Sequence, residues 1–346
     1  METRKLQKVG GGTYTVSIPK AWAGEHGFEA GTEVYLYTHV DGSIVVRSAA
    51  KDGGNLETAH VRVAGSGPEH VRRALAAANA AGFETVMLTP DGAFTDEQRR
   101  AARSTVRRTV GTTLPVERDD RIEVRNLLDA SDVSVRQSAL QLQFTALSIH
   151  RRATDALTGD GSDTYEQLHD HDDEADRLFE MVSRQLNRSL LSLAEVDHLG
   201  VSRAELFDYY GTARALERVA DRGVRIASVA ERVEGPVPEG LLDEVRRTAD
   251  AARDVVDDAA AAVLEGTGVD DAHDALDRRD EVVADVEAIE RALIDEEPTP
   301  AVSTADAVAL TRALESLVRT AEHGGAVARV AIRAATRAEN ASIDRE

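Results

Sequence analysis

Carboxylates four residues apart are the side chains of this sequence best suited to chemistry. Asp172 with Asp176, Glu217 with Asp221 and Glu281 with Asp285 stand at i, i+4 spacing, which stacks each pair on one helix face. Carboxylates opposed from two helices suit hard or borderline cations such as Mg²⁺, Mn²⁺ or iron. A solvated, salt-bridged face is the competing reading, because such pairs recur by chance among 62 Asp and Glu. The run His169–Asp176, HDHDDEAD, adds imidazoles that can ligate a metal or move protons, or simply form an acid-rich helix start. With no cysteine in the chain, disulfides, thiolate metal sites and a cysteine nucleophile are excluded. No Ser/His/Asp ordering, nucleotide fingerprint or zinc-protease motif is present, Gly65-Ser66-Gly67 is too short for a phosphate loop, and no anion pocket stands out. No enzymatic activity is expected.

The elements that must position these groups follow from charge and periodicity. The formal charge of −21 lies entirely beyond residue 130, since the first 130 residues carry 17 basic and 17 acidic side chains. Texture changes at the same place, and a domain boundary is expected at 128–132. Beyond it, apolar spacing predicts six helices: 132–158, 163–194, 201–234, 239–265, 271–296 and 303–340. Glycine and proline mark the breaks, among them Gly235-Pro236 and Pro298–Pro300. Long helices with short connections make bundles. Leu216–Ala227, LERVADRGVRIA, aligns without gaps on Leu317–Ala328, LVRTAEHGGAVA, 101 residues later. Two related three-helix bundles are therefore expected, 131–234 and 237–340, with Glu322 at the place equivalent to Asp221.

Residues 55–128 read as a small α/β element: a strand at Val61 and Val63, a helix from Pro68, the strand ETVMLT, a helix from Asp96, then a strand pair. Arg99, Arg100, Arg103, Arg107 and Arg108 share one broad face of its second helix, either a solvated or inter-domain face or a basic nucleic-acid surface. The first 50 residues are β-rich. Thr13–Ile18 alternates as a half-buried strand ended by Pro19, a short helix follows to His26, and 33–38 and 43–47 form a hairpin at Asp41-Gly42. So small a unit buries too little surface to stand alone, and dimerisation is expected.

Residues 3–48, RKLQKVGGGTYTVSIPKAWAGEHGFEAGTEVYLYTHVDGSIVVR, resemble the AbrB/SpoVT family. The resemblance implies a strand-swapped homodimer, found in transition-state regulators and antitoxins, that binds DNA. It would place Arg4, Lys5, Lys8 and Lys20 on or beside the DNA-facing surface. Only four of the 41 basic residues are lysine, all within the first 51 positions, and phosphate contacts need Lys or Arg. The same module could serve dimerisation alone, because five acidic residues balance its five basic ones.

LERVADRGVRIA resembles the PhoU signature, and the duplicated three-helix pattern extends the resemblance over 131–340. It implies a multinuclear metal cluster of iron or zinc held by Glu/Asp-x-x-x-Asp motifs. It also implies negative regulation of phosphate uptake together with the phosphate ABC transporter. Glu217 and Asp221 match the motif, with Asp172 and Asp176 as partners on the preceding helix. The second bundle departs from it: Val318 takes the glutamate position and Glu322 replaces the aspartate, leaving Glu281 and Asp285 as candidate ligands.

The expected fold is thus mainly α with a β-rich N-terminus: an AbrB-like module over 1–50, the α/β insert over 55–128, and two PhoU-like bundles. Arginine in place of lysine, many carboxylates and abundant small apolar residues resemble the proteome of a salt-loving archaeon. Molar salt would screen the acidity from an anionic partner. No apolar run approaches a membrane span, and the start METRKLQKVGGG lacks a signal-peptide core, so a cytoplasmic location without membrane insertion is expected. The resulting expectation is a homodimeric, DNA-binding regulator of phosphate uptake. Its rivals are an adaptor that docks the transporter ATPase without touching DNA, and a carboxylate-bridged metalloenzyme.

Overall fold

A computed structural model describes residues 3–10, 12–39, 42–47, 56–63, 67–128, 134–294 and 302–343. All but residue 128 of the expected boundary at 128–132, Asp41 of the hairpin turn, Gly65-Ser66 and the break at Pro298–Pro300 lie outside the described residues. Contacts divide the chain into two units, Met1–Gly54 and Asn55–Glu346.

In the first unit β1 (Gln7–Val9) pairs antiparallel with β2 (Thr13–Thr15) across Gly10, whose φ of 65° favours glycine. A helix, α1 (Lys20–Glu25), and a second antiparallel pair, β3 (Tyr35–Thr38) with β4 (Ile44–Arg47), complete it. Val16, Ser17 and Ile18, expected to extend β2, make no ladder pair among the described residues and stay exposed. No described side chain of this unit is fully buried. Leu6 (70% exposed), Tyr14 (67%) and Leu36 (67%) leave apolar surface uncovered, so the described residues of this unit form no buried core.

The second unit opens with a four-stranded sheet of order β5-β6-β8-β7, from β5 (Thr58–Val63), β6 (Thr85–Pro90), β7 (Thr112–Glu117) and β8 (Ile122–Asn126). Only β5 and β6 are parallel, because the helix between them, α2 (Pro68–Ala80), carries the chain back across the sheet. Val63, Val71, Leu75, Leu88 and Ile122 fill the core with Ala101 and Ala102 of α3 (Asp96–Arg108). A reciprocal Thr95–Gln98 capping box starts α3, and Arg107 and Arg108 in its last turn complement the helix dipole.

The helical part contains α4 (Val135–Thr158), α5 (Tyr165–Leu191), α6 (Leu193–Leu199), α7 (Arg203–Ala230), α8 (Glu239–Leu264), α9 (Val269–Ile294) and α10 (Thr304–Ile343). The six long helices stand where apolar spacing predicts them. The short α6 is the addition: Ser192 leaves helical backbone at φ −138° and caps it through Glu195 N–H. The apolar spacing of Leu190, Leu191 and Leu193 concealed that break.

Helices α4 and α7 pack closely at Gly223, where a Cβ would lie 2.9 Å from Ile149 Cγ2 and 3.0 Å from the His150 backbone nitrogen. Gly324 does the same between α8 and α10, against Val255 Cγ1 at 2.8 Å and the Val256 nitrogen at 3.0 Å. These two glycines are the 101-residue repeat in physical form. Helices α7 and α10 also pack on each other, joining the two helical sets through the repeated segment.

Helix α5 holds the insert. Arg184 donates to the Asn79 carbonyl at 2.8 Å, Asn187 to Ala80 at 2.9 Å and Arg188 to Gly82 at 2.9 Å. The C-terminal end of α2, where carbonyls lack intrahelical partners, is thereby satisfied by two cations and an amide. Burial and the neighbouring Arg188 bring the Arg184 guanidinium down to about 10. Arg188 also pairs with Glu195, and with Glu84 at 3.3 Å. Arg188→Ala is expected to weaken this joint by about 2–4 kcal/mol, since it leaves the half-buried Glu195 unpaired. Hydrogen exchange should then speed up across residues 67–90 and remain unchanged in 213–227. Equal protection in both segments would show that the joint does not depend on Arg188.

Candidate functional site

A carboxylate face lies between α5 and α7. Reciprocal capping boxes, Thr164 with Gln167 and Ser202 with Glu205, start the two helices. On α5 the buried positions run Leu168, Asp172, Ala175, Leu178 and Val182, so Asp172 occupies a place in the apolar stripe. It is 8% exposed, and its Oδ1 has no hydrogen-bond partner. A buried carboxylate without a partner is costly to ionise. Burial first, then Asp176, Asp221 and Glu217, push the Asp172 carboxyl up to about 7.

The neighbours behave alike. Burial and Asp221 raise the Asp176 carboxyl, partly offset by Arg108 and His169. Burial and Asp221 likewise raise Glu217, opposed by Arg218, which lies 3.4 Å from Glu217 and 4.0 Å from Asp221. The four carboxylates identified from spacing therefore share one electrostatic environment. Glu180, one further turn along α5, belongs to it too, raised by burial and by Asp176. Its signal was the continued i, i+4 spacing from Asp172 and Asp176, and reading the pairs alone missed it.

Arg108 of α3 pairs with Asp173 beside this face and lowers Asp176 and Glu180. The arginine face of α3 is thus largely committed within the unit, because Arg99 bonds Asp119 at 2.6 Å and Arg103 bonds Glu117 at 2.6 Å. His169 stacks on Tyr165 at 5.7 Å, and His171, His198 and His273 are exposed.

The equivalent region of the second set is different. Glu281 and Asp285 on α9 are exposed, and Glu322 on α10 is exposed and bonded to Arg319 at 2.8 Å. Arg279 lies over Gly325 of α10, with its Cδ 3.0 Å from where a Cβ would stand. Val318, at the glutamate position, packs against the apolar core.

The carboxyl oxygens suit a hard cation by their chemistry, and the orphaned Asp172 Oδ1 by its burial. As placed, however, no three His, Asp or Glu side chains among the described residues are grouped closely enough to hold a metal ion. A cation at this face would have to draw the side chains together.

At the other end of the chain Arg4, Lys5, Lys8 and Lys20 are exposed. Arg4 and Lys5 precede β1, Lys8 stands on β1 opposite Tyr14, and Lys20 opens α1.

Two regions of the chain match known domain families. Residues 140–230, which carry the carboxylate face, match the PhoU domain. Residues 7–53 match the antidote-toxin recognition MazE family of bacterial antitoxins. The helical part thus contains a PhoU-like segment and the N-terminus a MazE-like one. Among solved structures it is similar to PhoU from Pseudomonas aeruginosa, at 20% identity and a TM-score of 0.47, over 57% of this chain and 93% of that one. It is also similar to the phosphate transport system regulatory protein PhoU from Streptococcus pneumoniae, at 13% identity and 0.45, over 57% and 91%. No curated protein matches the chain. Among the described residues, no helix is long and apolar enough to cross a membrane.

Proposed function

We propose that this chain is a homodimeric cytoplasmic regulator of phosphate uptake and homeostasis, acting negatively and without catalysis. The observation that carries the reading is the PhoU-domain match over residues 140–230, which coincides with the buried carboxylate face. Asp172, Asp176, Glu217 and Asp221 would hold a divalent or trivalent cation, such as magnesium, manganese, zinc or iron. Its bound charge would relieve their mutual repulsion. Glu281, Asp285 and Glu322 would contribute at most a weaker second site, since all three are exposed and Glu322 already has an arginine partner.

The exposed apolar side chains of the N-terminal unit support dimerisation through residues 1–54. A dimer would present Arg4, Lys5, Lys8 and Lys20 twice, which suits a palindromic operator. The helical part would meet the phosphate ABC transporter ATPase and pass its state to the N-terminal module. An adaptor that docks the ATPase without touching DNA is favoured by one observation: the first 50 residues have no surplus of positive charge.

Binding of the purified protein to its own phosphate-transporter promoter, in high potassium salt, separates the two readings. Regulation through DNA predicts sequence-specific binding that weakens by about tenfold or more in Arg4→Ala/Lys8→Ala, with a shallower salt dependence. Binding that ignores sequence, or is unchanged in the double variant, would leave the adaptor reading standing.

A further inference from the structure

An open polar cleft of about 340 Å³ lies between helices α7 and α10, lined by Asp221, Arg222 and Arg225 on one side and by Arg312, Glu315 and Ser316 on the other. Nearby arginines on these helices answer carboxylates, as Arg218 does Glu217 and Arg319 does Glu322. The three cavity arginines do not: among the described residues none of Arg222, Arg225 and Arg312 forms an ion pair. Arg222 Nε is buried and has no hydrogen-bond partner. Three guanidiniums against two carboxylates give this cavity a local positive surplus in a chain of net charge −21, which suits an anion. Their planar, forked N–H groups match the oxygens of a tetrahedral oxyanion. The Ser316 hydroxyl is engaged, donating to the Arg312 carbonyl at 3.0 Å, so the arginines supply the donors.

The two acidic residues narrow the choice of anion. An ionised carboxylate only accepts hydrogen bonds. Sulfate has no proton at neutral pH and meets Asp221 and Glu315 as repulsion, whereas phosphate still carries one and can donate it. A repulsive group set among attractive ones is how a site rejects the wrong ligand. We propose that this cavity is a binding site for inorganic phosphate in its protonated form. The three arginines take its negative charge, and Glu315 accepts a hydrogen bond from its P–OH. The inference deepens the regulatory reading by giving the chain direct access to the ion whose uptake it would govern.

Equilibrium dialysis of the full chain against radiolabelled inorganic phosphate, after chelation and in potassium chloride, tests this. Arg225 and Arg312 are exposed, so replacing either does not open the core. Saturable binding is expected, weakened about tenfold or more in Arg225→Gln and in Arg312→Gln, with sulfate competing about tenfold less well than phosphate. Glu315→Gln is expected to narrow the gap between the two anions. No saturable binding, binding unchanged in both arginine variants, or sulfate competing as well as phosphate would each overturn the proposal. Promoter and transporter contact are read in separate assays, so failure here leaves them untouched.

Discussion

Gly223→Val is expected to lower the unfolding free energy by about 3 kcal/mol, the upper range for overpacking a close-packed interior. Two effects compete. A helix-interior glycine costs about 1 kcal/mol relative to alanine, so a side chain there gains propensity. Against this, a Cβ would meet Ile149 Cγ2 at 2.9 Å and His150 backbone atoms at 3.0 Å, and backbone cannot swing away as the end of a side chain can. Valine adds two methyl groups to that conflict, so the clash wins. Gly324→Val is expected to cost a similar amount against Val255 and Val256. Gly211→Ala is the control. Its Cβ would sit at an ordinary 3.7 Å from Val330, and it should be neutral or stabilising by up to about 1 kcal/mol. Denaturant unfolding in high salt measures all three. Equal midpoints for Gly223→Val and Gly211→Ala would refute the close approach of α4 and α7.

Asp172→Asn is expected to stabilise the chelator-treated protein at pH 8 and destabilise it, relative to the unsubstituted chain, when Mn²⁺ is added. The Asp172 carboxyl is raised from its ordinary value near 3.8 to about 7 in the folded chain. Its protonation therefore contributes stability that is fully present below about pH 4 and lost as pH rises through about 7. Asp176, Glu180 and Glu217 are raised as well and act with the same sign. Glu117 and Asp163 are lowered by Arg103 and Arg152, so their contributions fall away in acid. The metal-free protein should thus be most stable between about pH 5 and 6. Three pH units at about 1.4 kcal/mol each set an upper bound, and sharing among coupled carboxylates brings the gain in Asp172→Asn to about 2 kcal/mol. Manganese at about one hundred times its Kd would stabilise the unsubstituted chain by about 2.7 kcal/mol and the variant by less. Thermal unfolding at pH 8, with and without metal, should show the order of the two proteins reverse. A variant less stable in chelator would refute the cost of ionising Asp172, and an unsubstituted chain indifferent to divalent cations would sink the metal reading.

Much of the architecture was legible in the residues because local physics carries it. Apolar spacing places the long helices, the short β-prone apolar run in ETVMLT marks β6, and glycine ends α2 and α4 because few other residues accept positive φ. The carboxylate pairs were also legible, since i, i+4 spacing alone stacks Asp172 with Asp176 and Glu217 with Asp221.

Spacing could not say which carboxylates would be buried. Asp172 and Glu281 look equivalent in sequence, yet one enters the apolar stripe of α5 and the other stays in solvent on α9, with Arg279 turned toward Gly325. Burial depends on what faces a helix from elsewhere, and that follows from how several helices meet. The same holds for Arg184, Asn187 and Arg188, three polar residues of α5 whose role appears only when the end of α2, about a hundred residues earlier, arrives above them. The arginine cavity is the clearest case. Arg222 and Arg312 stand 90 positions apart on helices that each look ordinary, and only the packing of α7 on α10 brings their charges to one place. Backbone conformation answers to near neighbours along the chain. The charge and burial of a site answer to neighbours in space, which is why the helices could be read from sequence and the cavity could not.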